Sequence, residues 1–363
     1  MLELKGVDKR IGNEVHLVDI DLALEPGSLN VLLGPTLAGK TSLMRMMAGL
    51  DRPTAGAIFM DGADVTGVPV QKRDVAMVYQ QFINYPAMTV RANIASPMKI
   101  AGKSKAEIAA TIERVSALLQ LDPYLDRLPL QLSGGQQQRC ALARALAKNA
   151  RLVLLDEPLA NLDYKLREEL RAELPKIFAE SGAIFVYATA EPEEALLLGG
   201  NTATLKEGRI TQFGPTVDVY RRPNTLATAR TFSDPPLNAV PMTKTGNTFR
   251  HTSGHETPVP AALSALGDGD YNLGVRPHHV APVEGGSDAD AITLPATARI
   301  TEITGSESYV HITCLGEPFV LLAHGIRIYD RGTQFTIGFN PRHLLLFDAD
   351  GTAITPTGER MAA

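Results

Sequence analysis

The chain has 363 residues, of which 44% are hydrophobic and 21% charged, and a net charge of −5. These proportions fit a folded chain of about two domains and exclude a disordered or collagen-like one. The acidic balance argues against nucleic acid or an anionic membrane surface as the main partner, and the only two cysteines, Cys140 and Cys314, lie too far apart in sequence for a metal-type spacing, which points to free thiols in a reducing cytoplasm.

In chain order, the amino terminus MLELKGVDKR is charged at once and lacks the apolar stretch of a signal peptide. No later run reaches the ~18–20 residues that span a bilayer, so a membrane role would need partners that supply the spanning helices. Leu29–Leu33 reads as a buried strand ending at Gly34. The next residues, Gly34, Pro35, Thr36, Leu37, Ala38, Gly39, Lys40, Thr41 and Ser42, fit G-x-x-x-x-G-K-[ST] ahead of a predicted helix over Thr41–Gly49. Glycines there let backbone N–H groups turn toward phosphate oxygens, and the helix start adds positive potential. Lys40 is then within reach of β- and γ-phosphates, and Thr41 can offer its hydroxyl to Mg²⁺. Leu37 and Ala38 stand where small or polar residues are more usual, but phosphate contacts come mainly from backbone.

Ser104 precedes helical apolar spacing over Ala106–Leu121, and Leu132–Gln136 (LSGGQ) is a second glycine-rich segment. Leu152–Leu155 reads as a second buried strand, running into Asp156 and Glu157. Asp156 at the strand end can hold Mg²⁺, directly or through water, and Glu157 can polarise an attacking water. Lys165–Glu180 has a charged helical pattern with a predicted kink at Pro175, and Ile184–Ala188 reads as a third buried strand. Strands and helices alternate in this way to about residue 232. Past Asp234-Pro235-Pro236 the texture turns to short runs punctuated by Gly and Pro: Tyr271–Val275, Ala298–Ile303, Tyr309–Thr313, Phe319–Leu322, Gln334–Ile337 and Leu344–Phe347. They predict a small all-β barrel or sandwich, and hence domains 1–232 and 233–363.

With these motifs in this order, the chain resembles the ATPase subunits of ATP-binding cassette (ABC) importers, closest to the maltose-type carbohydrate and polyol group. The resemblance covers essentially the whole length: an α/β P-loop ABC cassette followed by an all-β, OB-like, transport-associated domain. It implies ATP and Mg²⁺ as cofactors. It makes Gln80 a Mg²⁺ sensor that communicates with membrane subunits, and sets Ser133, Gly134, Gly135 and Gln136 over an ATP held by a facing subunit. Asp163, in Ala160–Asp163, would line the dimer contact, and Gly274–Pro277 (GVRP) resembles a recurring segment of the β domain. Singly, Gln80 could be a surface amide, Asp163 a helix cap and Arg276 an ion-pair partner. Two membrane-spanning permease subunits and, indirectly, a periplasmic solute-binding protein are the implied partners, at the cytoplasmic face of a bacterial inner membrane. GPTLAGKTS, VYQQFINYPA, LDEPLANLDYKLREEL and LLLGGNTATL are similar to one ATPase subunit of glycerol importers that use two different ATPases.

Two departures from the family stand out. Ile11 occupies the position of an aromatic residue that stacks on adenine, which keeps apolar contact but loses the π-face. Thr189-Ala190-Glu191 replaces a Thr-His-Asp-like run whose histidine contacts the γ-phosphate, and a methyl group cannot donate that hydrogen bond. Nearby His16 is the one substitute in view. The expectation is therefore a slow site of its own, pairing with a second, non-identical ATPase rather than with a copy of itself. The rival readings are a homodimer in which Glu157 and Gln80 suffice, a non-hydrolysing regulatory or scaffold subunit whose Ser133–Gln136 completes a partner's site, an exporter, and a nucleic-acid ATPase. Asp288–Asp290 and the scattered acids of the β domain count against the last.

Overall fold

A computed structural model describes residues 1–81, 83–160, 162–283 and 290–361. Phe82, Asn161 and Asp288 of the segments read above lie outside the described residues. The chain divides into two compact units, Met1–Val219 and Tyr220–Ala363.

The first unit opens with strands β1 (Leu2–Ile11) and β2 (Glu14–Leu24), then β3 (Leu29–Leu33), helix α1 (Lys40–Ala48), β4 (Ala55–Met60), β5 (Ala63–Asp64) and β6 (Val75–Val78). It continues through α2 (Val90–Ile100), α3 (Lys105–Leu118), α4 (Gly134–Lys148), β7 (Leu152–Asp156), α5 (Tyr164–Ser181), β8 (Ile184–Thr189), α6 (Pro192–Leu198), β9 (Asn201–Lys206), β10 (Arg209–Pro215) and α7 (Thr216–Arg221). An antiparallel sheet has the order β2-β1-β4-β5, and a mainly parallel one the order β10-β9-β3-β8-β7-β6. Every residue of β7 and β8 is buried, as expected of parallel strands covered on both faces, which explains their unbroken apolar runs. The core packs α1, with Leu43, Met44 and Met47, between residues of the two sheets such as Leu4, Ile20, Leu154 and Val186.

α3 begins with a capping box, in which Ser104 accepts from the Glu107 N–H while Glu107 accepts from the Ser104 N–H. α5 runs on through Pro175, the position of the expected kink. Proline there cannot donate to the Arg171 carbonyl. However, Leu166, Leu170, Leu174 and Phe178 are buried at four-residue spacing on both sides of it, and this packed face carries the helix across the missing bond.

The second unit holds α8 (Leu226–Thr231) and strands β11 (Asn238–Thr245), β12 (Thr248–Arg250), β13 (Glu256–Pro258), β14 (Gly269–Val275), β15 (Ala281–Pro282), β16 (Ile292–Ile303), β17 (Glu307–Cys314), β18 (Glu317–His324), β19 (Gln334–Phe339), β20 (Leu345–Asp348) and β21 (Ala353–Ile354). They form two antiparallel sheets, β13-β12-β11-β14-β20-β21 and β15-β19-β16-β17-β18, around a core that includes Phe249, Leu273, Leu294, Phe319 and Phe339. The six strands read from sequence lie within β14 and β16–β20, apart from Leu344, which precedes β20. α8 groups with the β unit because the Leu226 N–H donates to the Gly351 carbonyl, so the division falls earlier than Phe232. Among the described residues no helix is long and apolar enough to cross a membrane.

Candidate functional site

In the parallel sheet β8 lies between β3 and β7, with Leu33 opposite Thr189 and Asp156 opposite Ala188. The loop after β3, Ala190 after β8 and Glu157 after β7 therefore share the carboxyl edge of the sheet, where α/β folds bind ligands. Backbone bonds join the three: Gly34 N–H donates to the Thr189 carbonyl (3.3 Å), and Glu157 N–H to the Ala188 carbonyl (3.0 Å).

The loop is held by close backbone approach. A Cβ on Gly34 would stand 2.5 Å from the Leu205 carbonyl oxygen, and one on Gly39, at φ 106°, 2.8 Å from the Leu17 side chain. Leu37 also adopts a left-handed backbone, at φ 69°, a conformation that costs a side-chain-bearing residue about 1 kcal/mol. Such turns aim successive N–H groups into a common anion nest.

Lys40 is buried, and its ammonium donates to the carbonyls of Gly34 (2.6 Å) and Pro35 (3.1 Å) while lying 3.8 Å from Glu157 Oε1. Burial lowers its pKa, opposed by the carboxylates of Glu157 and Asp156. Thr41 Oγ1 donates to Asp156 Oδ2 at 2.8 Å. Asp156 is itself buried, which raises its pKa against the opposing pull of the Thr41 hydroxyl and Lys40. Gln80 Nε2 donates to Glu157 Oε2 at 2.8 Å, so one carboxylate lies between an amide and an ammonium. The Thr41 hydroxyl, the Asp156 carboxylate and the Gln80 amide oxygen are hard oxygen donors of the kind Mg²⁺ prefers. Mg²⁺ is commonly held by one or two carboxylates together with substrate phosphates. The glycine cradle and this donor set fit a nucleotide with Mg²⁺.

The cleft measures about 620 Å³, and beyond the phosphate loop its wall includes Glu14, Val15, His16 and Glu207. Ile11, 56% exposed at the end of β1, is not among the wall residues, and Val15 stands closer to the cleft. His16 lies on the β9 flank, where its carbonyl is 3.1 Å from the Cβ position of Gly39 and its backbone packs close to Gly208. Ala190 follows β8, on the opposite flank of β3.

Ala190 is exposed, yet the residues around it are tied down. Glu191 N–H donates to the Thr189 hydroxyl (3.0 Å), and the Glu191 carboxylate accepts from Arg171 (2.9 Å). Arg171 also bonds Glu168 and the buried Glu194, to which the Tyr187 hydroxyl donates. Sequence reading missed this network, because its members sit on α5, β8 and α6 and share no local spacing.

Ser133, Gly134, Gly135 and Gln136 are absent from the cleft wall. Ser133 caps α4: its hydroxyl accepts from the Gln136 N–H (3.4 Å), and Gln136 Oε1 accepts from the Ser133 N–H (3.0 Å). Ser133 and Gly134 are exposed at this helix start. Asp163 caps α5 by accepting from the Leu166 N–H at 3.0 Å, and is also exposed. Further along α4, Gln138 Nε2 donates to the Glu157 carbonyl (3.4 Å), Asn84 donates to the Gln137 carbonyl (2.8 Å), and the Arg144 guanidinium lies 4.8 Å over the Tyr85 ring. One helix thus touches both the residue after β7 and the segment after Gln80.

Residues 17–160 match the ABC transporter family and residues 273–347 the TOBE domain family. The alpha-glucoside transport ATP-binding protein AglK of Rhizobium meliloti is 37% identical over 359 residues, covering 96% of this chain and 98% of that protein. The sn-glycerol-3-phosphate import ATP-binding protein UgpC of Ruegeria pomeroyi is 38% identical over 363 residues, 99% of each. The maltose/maltodextrin import ATP-binding protein MalK of Yersinia pestis is 33% identical over 359 residues, 96% of each. Among solved structures, the dimeric post-hydrolysis cassette MJ0796 bound to ADP and Pi is similar with a TM-score of 0.54 at 29% identity, covering 60% of this chain and 99% of that one. With a phosphate loop, a strand-end acid pair and a separate Ser-Gly-Gly-Gln helix start in one cassette, and a TOBE domain after it, the chain belongs to the ATP-binding subunits of maltose-type ABC importers.

Proposed function

We propose that this chain energises uptake of a small polyol, glycerol, as the slower half of a pair of unlike ATPase subunits at the cytoplasmic face of a bacterial inner membrane. The observation that carries the pairing is a methyl at Ala190 beside an intact Lys40–Glu157 end of the cleft.

Backbone N–H groups of Thr36, Leu37 and Gly39 receive the phosphates of ATP, and Lys40 exchanges its contacts with the Gly34 and Pro35 carbonyls for β- and γ-phosphate oxygens. Thr41, Asp156 and Gln80 would hold Mg²⁺, which when bound neutralises charge on those phosphates. Glu157, released from the Gln80 amide, orients the attacking water and accepts its proton. At Ala190 no donor meets the γ-phosphate, and losing one such contact costs about 10²–10³ in rate. Ser133–Gln136 lie outside their own cleft and complete the pocket of the facing subunit. ATP favours the closed pair because its γ-phosphate bridges the halves, and hydrolysis removes that differential affinity. Closure reaches two permease subunits through Gln80 and Tyr85-Pro86, and these subunits receive solute from a periplasmic binding protein.

The relatives are named for alpha-glucosides, sn-glycerol-3-phosphate and maltose, all small polyhydroxylated solutes, which supports the substrate class. Glycerol itself rests on likeness of the segments around Gly34, Val78, Leu155 and Leu196. Deleting the gene should abolish uptake of radiolabelled glycerol, and unchanged uptake would reject that substrate. A second reading, a scaffold that binds ATP without productive hydrolysis, draws on the same Ala190. It predicts no turnover by this chain's own site even in the assembled importer, so no ATP hydrolysis would remain once the partner's site is inactivated, where the slow-site reading leaves a residual rate that Glu157→Gln abolishes.

A further inference from the structure

We propose that Leu37 is a partner-selecting contact, whose side chain seats against the facing ATPase subunit when two subunits close on ATP. The inference rests on the reading above that closure joins facing ATPase subunits.

Leu37 combines two features that together leave its side chain without a role inside its own chain. Its backbone is left-handed, at φ 69°, and its side chain is 96% exposed. The backbone conformation serves the anion nest, but glycine would meet that need without strain. The isobutyl group adds nothing to the core of this chain, whereas the methyl of the next residue, Ala38, is 3% exposed and belongs to it. A strained and solvent-facing apolar side chain at a functional loop therefore has its use outside the chain.

The direction follows from the cleft. Leu37 lies on its wall, and Ser133–Gln136, which complete a nucleotide pocket, do not line this chain's own cleft. The completing segment must arrive from the facing subunit, across the surface where Leu37 projects. The occupant is that subunit, offering a shallow apolar seat for a branched aliphatic group. A facing subunit without such a seat would bury the side chain poorly and be disfavoured, so Leu37 contributes to partner choice as well as to affinity.

The test places Leu37→Cys in a Glu157→Gln background and uses the importer purified from its own membranes. Burial pushes the thiol pKa of Cys140 up to about 11 and that of Cys314 up to about 12, which leaves position 37 as the reactive thiol of this chain. A benzophenone maleimide attached there and photolysed with ATP should join this chain to the neighbouring ATPase subunit, and give no such product with ADP. In sedimentation at saturating ATP, Leu37→Gly should weaken association of the ATPase subunits about tenfold, and Leu37→Met should retain it. Photolysis that gives no product between subunits, equal product with ADP, or a Leu37→Gly protein that associates as tightly as its parent overturns the inference. If the Glu157→Gln parent itself does not associate on ATP, the facing-subunit reading falls and the inference with it. A parent that associates beside an equally competent Leu37→Gly overturns only the role of Leu37.

Discussion

Ala190 follows β8, the strand between those that lead to Lys40 and Glu157, and its neighbours Thr189 and Glu191 are held by hydrogen bonds and an ion pair. A side chain introduced there would be presented by a backbone already in place. Ala190→His should therefore raise ATP turnover at this chain's own site in the assembled importer by about 10²-fold, the usual worth of one charge-directed donor in a transition state. Glu157→Gln should abolish turnover in both backgrounds. High turnover of the parent that Ala190→His does not improve would remove the case for a slow site. Gln80 admits a separate test, since its amide holds Glu157 Oε2 in the resting geometry. Gln80→Ala should lower kcat in the assembled importer and weaken its stimulation by solute, while equal kinetics for the variant and its parent would make Gln80 a bystander.

Ser133 and Gln136 close a capping box at the start of α4, so the Ser133 side chain is a helix cap as well as a candidate contact for a neighbour's nucleotide. Removing an N-cap costs about 1 kcal/mol, so Ser133→Ala should lower the melting temperature of the chain by a few degrees. Asparagine caps as well as serine, so Ser133→Asn should restore the melting temperature and still leave the paired subunit's ATP turnover low. Recovery of turnover together with stability would assign Ser133 to capping alone. α4 was hard to read as a helix because Gly134-Gly135 sits in its first turn, where glycine is a poor helix former. The phosphate loop, the acids after β7 and most strands of the β unit were legible, because each depends on local spacing. β11 was not, since Pro241 reads against a strand. It is tolerated because β12 pairs only with Thr243–Thr245, and Pro241 lies beyond that pairing. The Arg171–Glu191–Glu194–Tyr187 network was equally hidden, as its partners meet only after α5, β8 and α6 have packed.

Across the whole molecule the two units respond to different conditions. The β unit carries a histidine cluster in which His279 stacks on His343 at 3.8 Å and tilts against His278 at 4.2 Å. Burial, with His278, His343 and Arg276 nearby, pushes the His279 pKa from 6.5 down to about 4. The unfolded chain then takes up this proton first as pH falls, so the contribution to stability is complete above 6.5 and is lost between 6.5 and 4. Hydrogen exchange of β14 and β20 should speed up on going from neutral pH to about 5, beyond the intrinsic pH dependence of exchange, and His279→Gln should flatten that response. A slope unchanged by the substitution would assign the acid sensitivity to other groups. In the cassette, the distance that matters is set by one helix. From Ser133 α4 runs past Gln138, bonded to the Glu157 carbonyl, to Arg144 over Tyr85, about 16 Å along at 1.5 Å per residue. It acts as a ruler between the exposed helix start at Ser133 and Tyr85, with the end of this chain's cleft marked between them by Gln138. A displacement at Tyr85 would reach both marks through one helix, and in a pair of facing cassettes it would tie the timing of two nucleotides to one rigid length.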